Sequence, residues 1–154
     1  MSIEEICKKY YIKNYTINDD GTVDVDGDVE LSSMGFTEIP IRFNHVSGCF
    51  NFYNNELTSL EGSPKSVGGN FDCNGNKIYS LEEFNSEIGN IFYCYDNPIE
   101  YLINNGVDSD FIKAFNTFKV VKDKVVNLKR LKYVMSMFDE PVYLDLIKKH
   151  YTIV

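Results

Sequence analysis

The chain has 154 residues, 44% of them hydrophobic, enough for one core of ordinary globular composition. Its formal net charge is −8, divided as 17 acids against 6 bases over residues 1–105 and 6 acids against 9 bases over residues 106–154, which argues against direct nucleic-acid binding by the larger part of its surface. No apolar run approaches the ~20 residues that span a bilayer, and the first residues lack the apolar core of a signal peptide, so a soluble, cytoplasmic protein without a membrane partner is expected.

Residues 1–13 read as a short helix, with Ser2 as N-cap and Glu4 and Glu5 in the first turn. Tyr15, Ile17, Val23 and Val25 alternate around Asn18-Asp19-Asp20-Gly21, a hairpin signal. Residues 1–24 are therefore expected to form a helix-and-hairpin cap over the open N-terminal end of a repeat stack.

Val25, Val46, Val67 and Ile88 recur every 21 residues, and each opens a copy of one unit. Gly27, Gly48 and Gly69 share a column, with Asn90 in the last copy; Val29, Phe50, Phe71 and Phe92 share another, and Leu31, Phe52, Cys73 and Cys94 a third. Asn55, Asn76 and Asn97 recur, with Met34 in the first copy. The pattern L-x-L-x-x-N-x-L-x-x-L resembles that of leucine-rich repeats at the short end of their period. The fold expected is an α/β solenoid: residues 25–102 as four repeats forming a four-stranded parallel sheet, backed by turns at Glu61-Gly62 and Ser63-Pro64. Alternate residues point inward. The inward asparagines offer amide donors and acceptors to backbone groups at the turn, and Met34 is expected to fill space against the cap.

Beyond Leu102 the period changes. Asn104-Asn105-Gly106 ends the last coil, and three amphipathic helices are expected: Phe111, Ile112, Phe115 and Phe118 mark the first; Leu128, Leu131, Val134, Met135 and Phe138 a second that begins near Asp123; Leu144 and Ile147 a third after Glu140-Pro141. Residues 103–154 would then be a C-terminal three-helix cap.

Catalytic and metal chemistry have little support. His45 and His150 fit no metal spacing, and no nucleophile elbow, P-loop or kinase signature is present. A calcium loop starting at Thr22 would place Gly27 correctly, yet Thr22 and Ser33 stand where acidic ligands are needed. Cys73 and Cys94 read as small core residues, and Cys49 as an outward thiol without a neighbouring base. No cofactor or metal is expected, and no catalytic residue is assigned.

What remains is the outward strand face. Its rows are Asp28, Cys49, Asn70, Ile91; Glu30, Asn51, Asp72, Tyr93; and Ser32, Tyr53, Asn74, Tyr95. Side chains on stacked strands are held rigidly, and tyrosine buries much area with little rotamer loss. Glu30, Asn51, Tyr53, Asp72, Asn74, Tyr93 and Tyr95 are the partner-binding candidates.

The segments Asn55-Glu56-Leu57-Thr58-Ser59-Leu60-Glu61-Gly62-Ser63-Pro64 and Val67-Gly68-Gly69-Asn70-Phe71 also resemble the small leucine-rich-repeat-type proteins of tailed bacteriophages, in which N-x-L-T-S-L-E-G-x-P and V-G-G-x-F recur. Residues 23–102 carry the likeness. It implies a repeat fold and a viral origin, and no catalytic residues. The expectation is a non-enzymatic protein–protein interaction module that engages a host defence or regulatory protein. An acidic DNA mimic using Asp24, Asp26, Asp28, Glu30 and Asp72, and a small-ligand binder, are the alternatives; a homo-oligomer is compatible with all three.

Overall fold

A computed structural model describes residues 1–82, 84–103 and 106–154. The chain opens on α1 (Ile3–Lys9), closed by the capping box that Ser2 and Glu5 form reciprocally. Strands β1 (Tyr15–Ile17) and β2 (Val23–Val25) then pair antiparallel around the predicted turn. From there successive coils stack in a solenoid-like body. Each coil contributes two very short strands: β2 and β3 (Val29–Glu30), β4 (Phe43–Val46) and β5 (Phe50–Asn51), β6 (Ser66–Val67) and β7 (Phe71–Asp72), β8 (Glu87–Ile88) and β9 (Phe92–Tyr93).

The body therefore has two parallel sheets where the sequence predicted one. One runs β2-β4-β6-β8, with β1 added at its edge, and the other runs β3-β5-β7-β9. The strands are split by a corner between each pair, at 26–28, 47–49, 68–70 and 89–91. Glycine is required there by the approach of neighbouring coils. A Cβ on Gly68 would lie 2.1 Å from the Ser47 carbonyl oxygen, and one on Gly69 would lie 2.6 Å from Cys49 Sγ. The corners remain bonded coil to coil, the Gly69 N–H donating to the Gly48 carbonyl at 2.9 Å.

Inward columns build the core. Val29, Phe50, Phe71 and Phe92 pair directly in register. The rings of Phe50, Phe71 and Phe92 stand 5.0 and 5.5 Å apart, and Phe84 closes against the last two at 5.1 and 5.2 Å. Cys73 and Cys94 are fully buried in the next column, with no disulfide. Burial pushes both thiols well above the ordinary cysteine range.

The asparagine column does what its chemistry suggests. Asn76 Nδ2 donates to the carbonyls of Phe52 (3.0 Å) in the preceding coil and Cys73 (2.9 Å) in its own, while its Oδ1 accepts from the Leu57 N–H at 2.9 Å. Asn55 and Asn97 repeat the arrangement one coil either side. Met34, expected inside, is exposed. Asn55 Oδ1 accepts from the Met34 N–H, so the position is defined by its backbone and the side chain is left outside.

The C-terminal part departs further from expectation. A single turn, α2 (Glu100–Ile103), ends the last coil, and residues 104 and 105 of the predicted Asn104-Asn105-Gly106 terminator lie outside the described residues. The chain continues through α3 (Ser109–Thr117), β10 (Val121–Lys122), β11 (Val125–Val126), α4 (Leu128–Met137), α5 (Leu144–Ile147) and β12 (Thr152–Ile153). The first predicted helix is present, with Phe111, Ile112 and Phe115 buried and the Asp108 side chain accepting from the Phe111 N–H. The second starts later than expected. Asp123 and Lys124 instead turn a small hairpin, and Asn127 caps α4. The third helix shortens to one turn because the last residues pair parallel with β11. Among the described residues no helix is long and apolar enough to cross a membrane.

Candidate functional surface

The outward row Glu30, Asn51, Asp72, Tyr93 is formed by direct strand pairing, so these four side chains stand side by side at the strand spacing of ~4.8 Å. In the next outward row Asn74 stands between Tyr53 of the preceding coil and Tyr95 of the following one. Tyr53 is 48% exposed, Tyr95 56% and Ile91 37%, whereas Tyr93 is half-buried among its neighbours.

The polar members bond both within their own coil and to the neighbouring one. Asn51 Nδ2 donates to Glu30 Oε2 at 2.8 Å, and Asn51 Oδ1 accepts from the Tyr53 N–H at 2.9 Å. Asp72 Oδ1 accepts from the Asn74 N–H at 2.9 Å, and Asn74 Oδ1 from the Tyr95 N–H at 2.5 Å. The first coil carries a row of carboxylates used the same way. Asp24 Oδ1 accepts from the Asn44 amide and the His45 N–H, Asp26 Oδ1 from the Ser47 hydroxyl, and Asp28 Oδ1 from the Cys49 N–H. Outward polar residues thus bridge one coil to the next, at the 21-residue interval of the repeat. These bonds hold the face in one geometry.

Asp72 is the electrostatic exception. Partial burial raises its carboxyl above the ordinary aspartate range, the Asn74 N–H works against this, and the nearby Glu30 carboxylate adds to it. A carboxyl whose folded-state pKa is raised binds its proton more tightly folded than unfolded. The stability it adds is complete below the unfolded pKa and is lost as pH rises through the folded one. Asp72→Asn keeps an oxygen for the Asn74 N–H and removes the charge. The melting temperature of this variant is expected to exceed that of the wild type at pH 7, and the difference to vanish as the pH is lowered through the carboxylate range. Equal melting curves at pH 7 would contradict that account.

The histidines lie in structural contacts. His45 is in β4, with its Nδ1 at 2.5 Å from the Ser66 hydroxyl of the next coil. His150 stacks on the Tyr101 ring at 4.6 Å. Cys49 is half-buried at the corner. No cluster of three or more His, Cys, Asp or Glu that could hold a metal occurs among the described residues.

A cleft of about 550 Å³ opens between the turns of the second and third coils and the β10–β11 hairpin, lined among others by Ser59, Tyr79, Ser80, Glu82, Asp123 and Lys124. A second cleft, of about 350 Å³, lies between Glu82 of the repeats and Phe115 and Asn116 of α3. Lys124 Nζ lies 4.0 Å over the Tyr79 ring, and the Tyr79 carbonyl accepts from the buried Tyr151 hydroxyl at 2.7 Å.

Sequence reasoning also passed over exposed apolar side chains outside the repeats. Tyr11 is 82% exposed and Tyr133, on α4, is 55% exposed. The signal for the second was present as a lysine-rich stretch around Tyr133. Compared with known proteins, the chain matches no family model, no curated protein and no solved structure.

Proposed function

We propose that the chain is a non-enzymatic protein-binding module of the small leucine-rich-repeat type made by tailed phages, and that it engages a host defence or regulatory protein in the host cytoplasm. The docking surface is the outward face of β3-β5-β7-β9, with Tyr53, Tyr93 and Tyr95 as anchors and Glu30, Asn51, Asp72 and Asn74 framing them. The observation that carries this reading is the pair of tyrosines, Tyr53 and Tyr95, left about half exposed on a face held by hydrogen bonds within coils, as at the Tyr53 N–H, and between coils, as at the Tyr95 N–H. A rigid aromatic anchor loses little entropy on binding, and truncating one at an interface centre costs about 2 kcal/mol or more. Tyr93→Ala with Tyr95→Ala should therefore abolish capture of the partner from host cells while the circular dichroism and melting curve stay those of a folded protein. Undiminished capture by the folded double variant would count decisively against this face.

A second reading is favoured by the first-coil carboxylates, of which Asp26, Asp28 and Glu30 are exposed. They would imitate a phosphate backbone to a nucleic-acid enzyme. Binding would then compete with DNA and weaken steeply with salt. Salt-insensitive binding excludes it.

A further inference from the structure

The cations of this chain are concentrated in one place. Between residues 119 and 137 lie Lys119, Lys122, Lys124, Lys129, Arg130 and Lys132 against the single acid Asp123, while the other 135 residues hold 9 bases and 22 acids. All six cations are exposed. The ion pairs found among the described residues, Lys77–Glu56 and Lys113–Glu87, involve none of them.

Three of the six lie on α4, whose buried side is Leu131, Val134 and Met135. Its other side presents Lys129, Lys132, Tyr133 and Met137. Arg130 reaches back to the Lys119 carbonyl at 3.3 Å, and Tyr133 meets Phe118 edge-on at 5.0 Å, which fixes this face against the end of α3. Tyr133 and Met137 are each about half exposed, so the exposed side of α4 is cationic over its first half and carries two apolar side chains farther along.

We propose that this α4 face docks on the acidic first coil of a second copy of the chain, giving head-to-tail association. The complement is present in every molecule. Asp26, Asp28 and Glu30 are exposed on the first coil and make no ion pair among the described residues. The first coil begins the stack, whereas α3 is joined beyond the last coil, where Ser109 bonds to Ile88 and Val107 to Phe92. With the intervening coils between β3 and the attachment of α3, the pairing proposed is between molecules. The interface is heterologous, using a different patch on each subunit, so it propagates unless capped. It leaves the tyrosine end of the outward face uncovered and does not depend on the tyrosines binding a host protein.

Sedimentation velocity decides the matter. At about 20 mM salt the protein is expected to associate with rising concentration, and at about 0.5 M salt the association should weaken at least tenfold, because screening acts on exposed charges. Lys129→Glu with Lys132→Glu removes one patch. Asp26→Asn with Asp28→Asn and Glu30→Gln removes the other while keeping an acceptor oxygen for Ser47, Cys49 and Asn51. Each variant alone should sediment as a monomer, and an equimolar mixture should form a 1:1 complex that grows no further. A wild type that stays monomeric at low salt overturns the proposal, as does a mixture that stays monomeric or variants that associate like the wild type. Binding of a single-stranded RNA oligonucleotide by a monomeric wild type would assign the cationic face to nucleic acid instead.

Discussion

Replacing Asn76 with leucine is expected to destabilise the fold by about 3–5 kcal/mol, read as a lowered urea midpoint. The side chains are close in size, so the loss is one of hydrogen bonding and not of volume. The buried Leu57 N–H has no other acceptor once Asn76 Oδ1 is gone, and an orphaned buried donor costs ~1–3 kcal/mol. The two carbonyls fare better. The Phe52 oxygen also accepts from Asn55 Nδ2 at 3.1 Å, and the Cys73 oxygen from Asn97 Nδ2 at 2.9 Å. Each loses one of two partners, at ~1 kcal/mol apiece. The ladder is thus interlocked, each middle carbonyl being shared by asparagines of adjacent coils. A second consequence separates shared hydrogen bonding from simple loss of packing. Asn55→Leu together with Asn76→Leu strips both donors from the Phe52 oxygen, so the double variant should lose more than the sum of the two single ones. Strict additivity would show that the carbonyls are not shared in solution.

The stacking was legible in the sequence because it is set by period. A 21-residue interval places residue i over residue i+21, and the phenylalanine and asparagine columns then declare which side is inward. The paired strands Val29, Phe50, Phe71 and Phe92 are that column. The second sheet was not legible, because a two-residue strand and a corner leave the inward alternation of Val67, Gly69, Phe71 and Cys73 unchanged. Periodicity of two reports which face a residue is on and not which sheet. Met34 failed for a related reason. Column membership fixed its backbone, which Asn55 holds, but with no preceding coil nothing covers its side chain. The hairpin before α4 was lost because Val121, Val125 and Val126 suit helix and strand alike at so short a length, and the pairing of Thr152 and Ile153 with Val125 and Val126 is a contact over 27 residues that no local window contains.

The candidate surface was legible as a list of residues and not as a set of roles. Alternation gave the outward positions, yet four of the seven candidates, Glu30, Asn51, Asp72 and Asn74, are also bonded within the stack. Substituting them would perturb coil contacts as well as a docking surface. Tyr53 and Tyr95 make their bonds through backbone N–H groups, which survive a change of side chain. Tests of binding are therefore cleanest at the tyrosines, and tests of the stack at the polar rows.

Phe71→Ala is expected to cost about 3–5 kcal/mol, the range for removing a fully buried aromatic side chain. Phe71 has no exposed surface and touches rings on three sides: Phe50 one coil before at 5.0 Å, Phe92 one coil after at 5.5 Å, and Phe84 at 5.1 Å. The site cannot collapse easily to fill the void. Backbone hydrogen bonds hold each coil to its neighbours, the Phe50 N–H bonding to the Asn70 carbonyl and the Phe71 N–H to the Ile91 carbonyl, so moving one wall inward strains the ladder on both sides. Position in the stack matters because each coil interacts only with its neighbours. Phe71 belongs to an interior coil and bridges two interfaces, whereas Phe92 meets the C-terminal part on one side through the Val107 carbonyl. The unfolding transition of Phe71→Ala should accordingly broaden as well as shift, since the stack is weakened between its two halves, and the denaturant m-value should fall. Phe71→Leu, which retains most of the volume, should recover more than half of the loss. A sharp transition with an unchanged m-value would mean that the coils unfold as one indivisible unit. Loss of cooperativity would carry a functional sign too: Asp72 and Tyr93 are held in their row by the strand pairs on either side of Phe71, so partner capture should weaken even at temperatures where the variant is still almost fully folded.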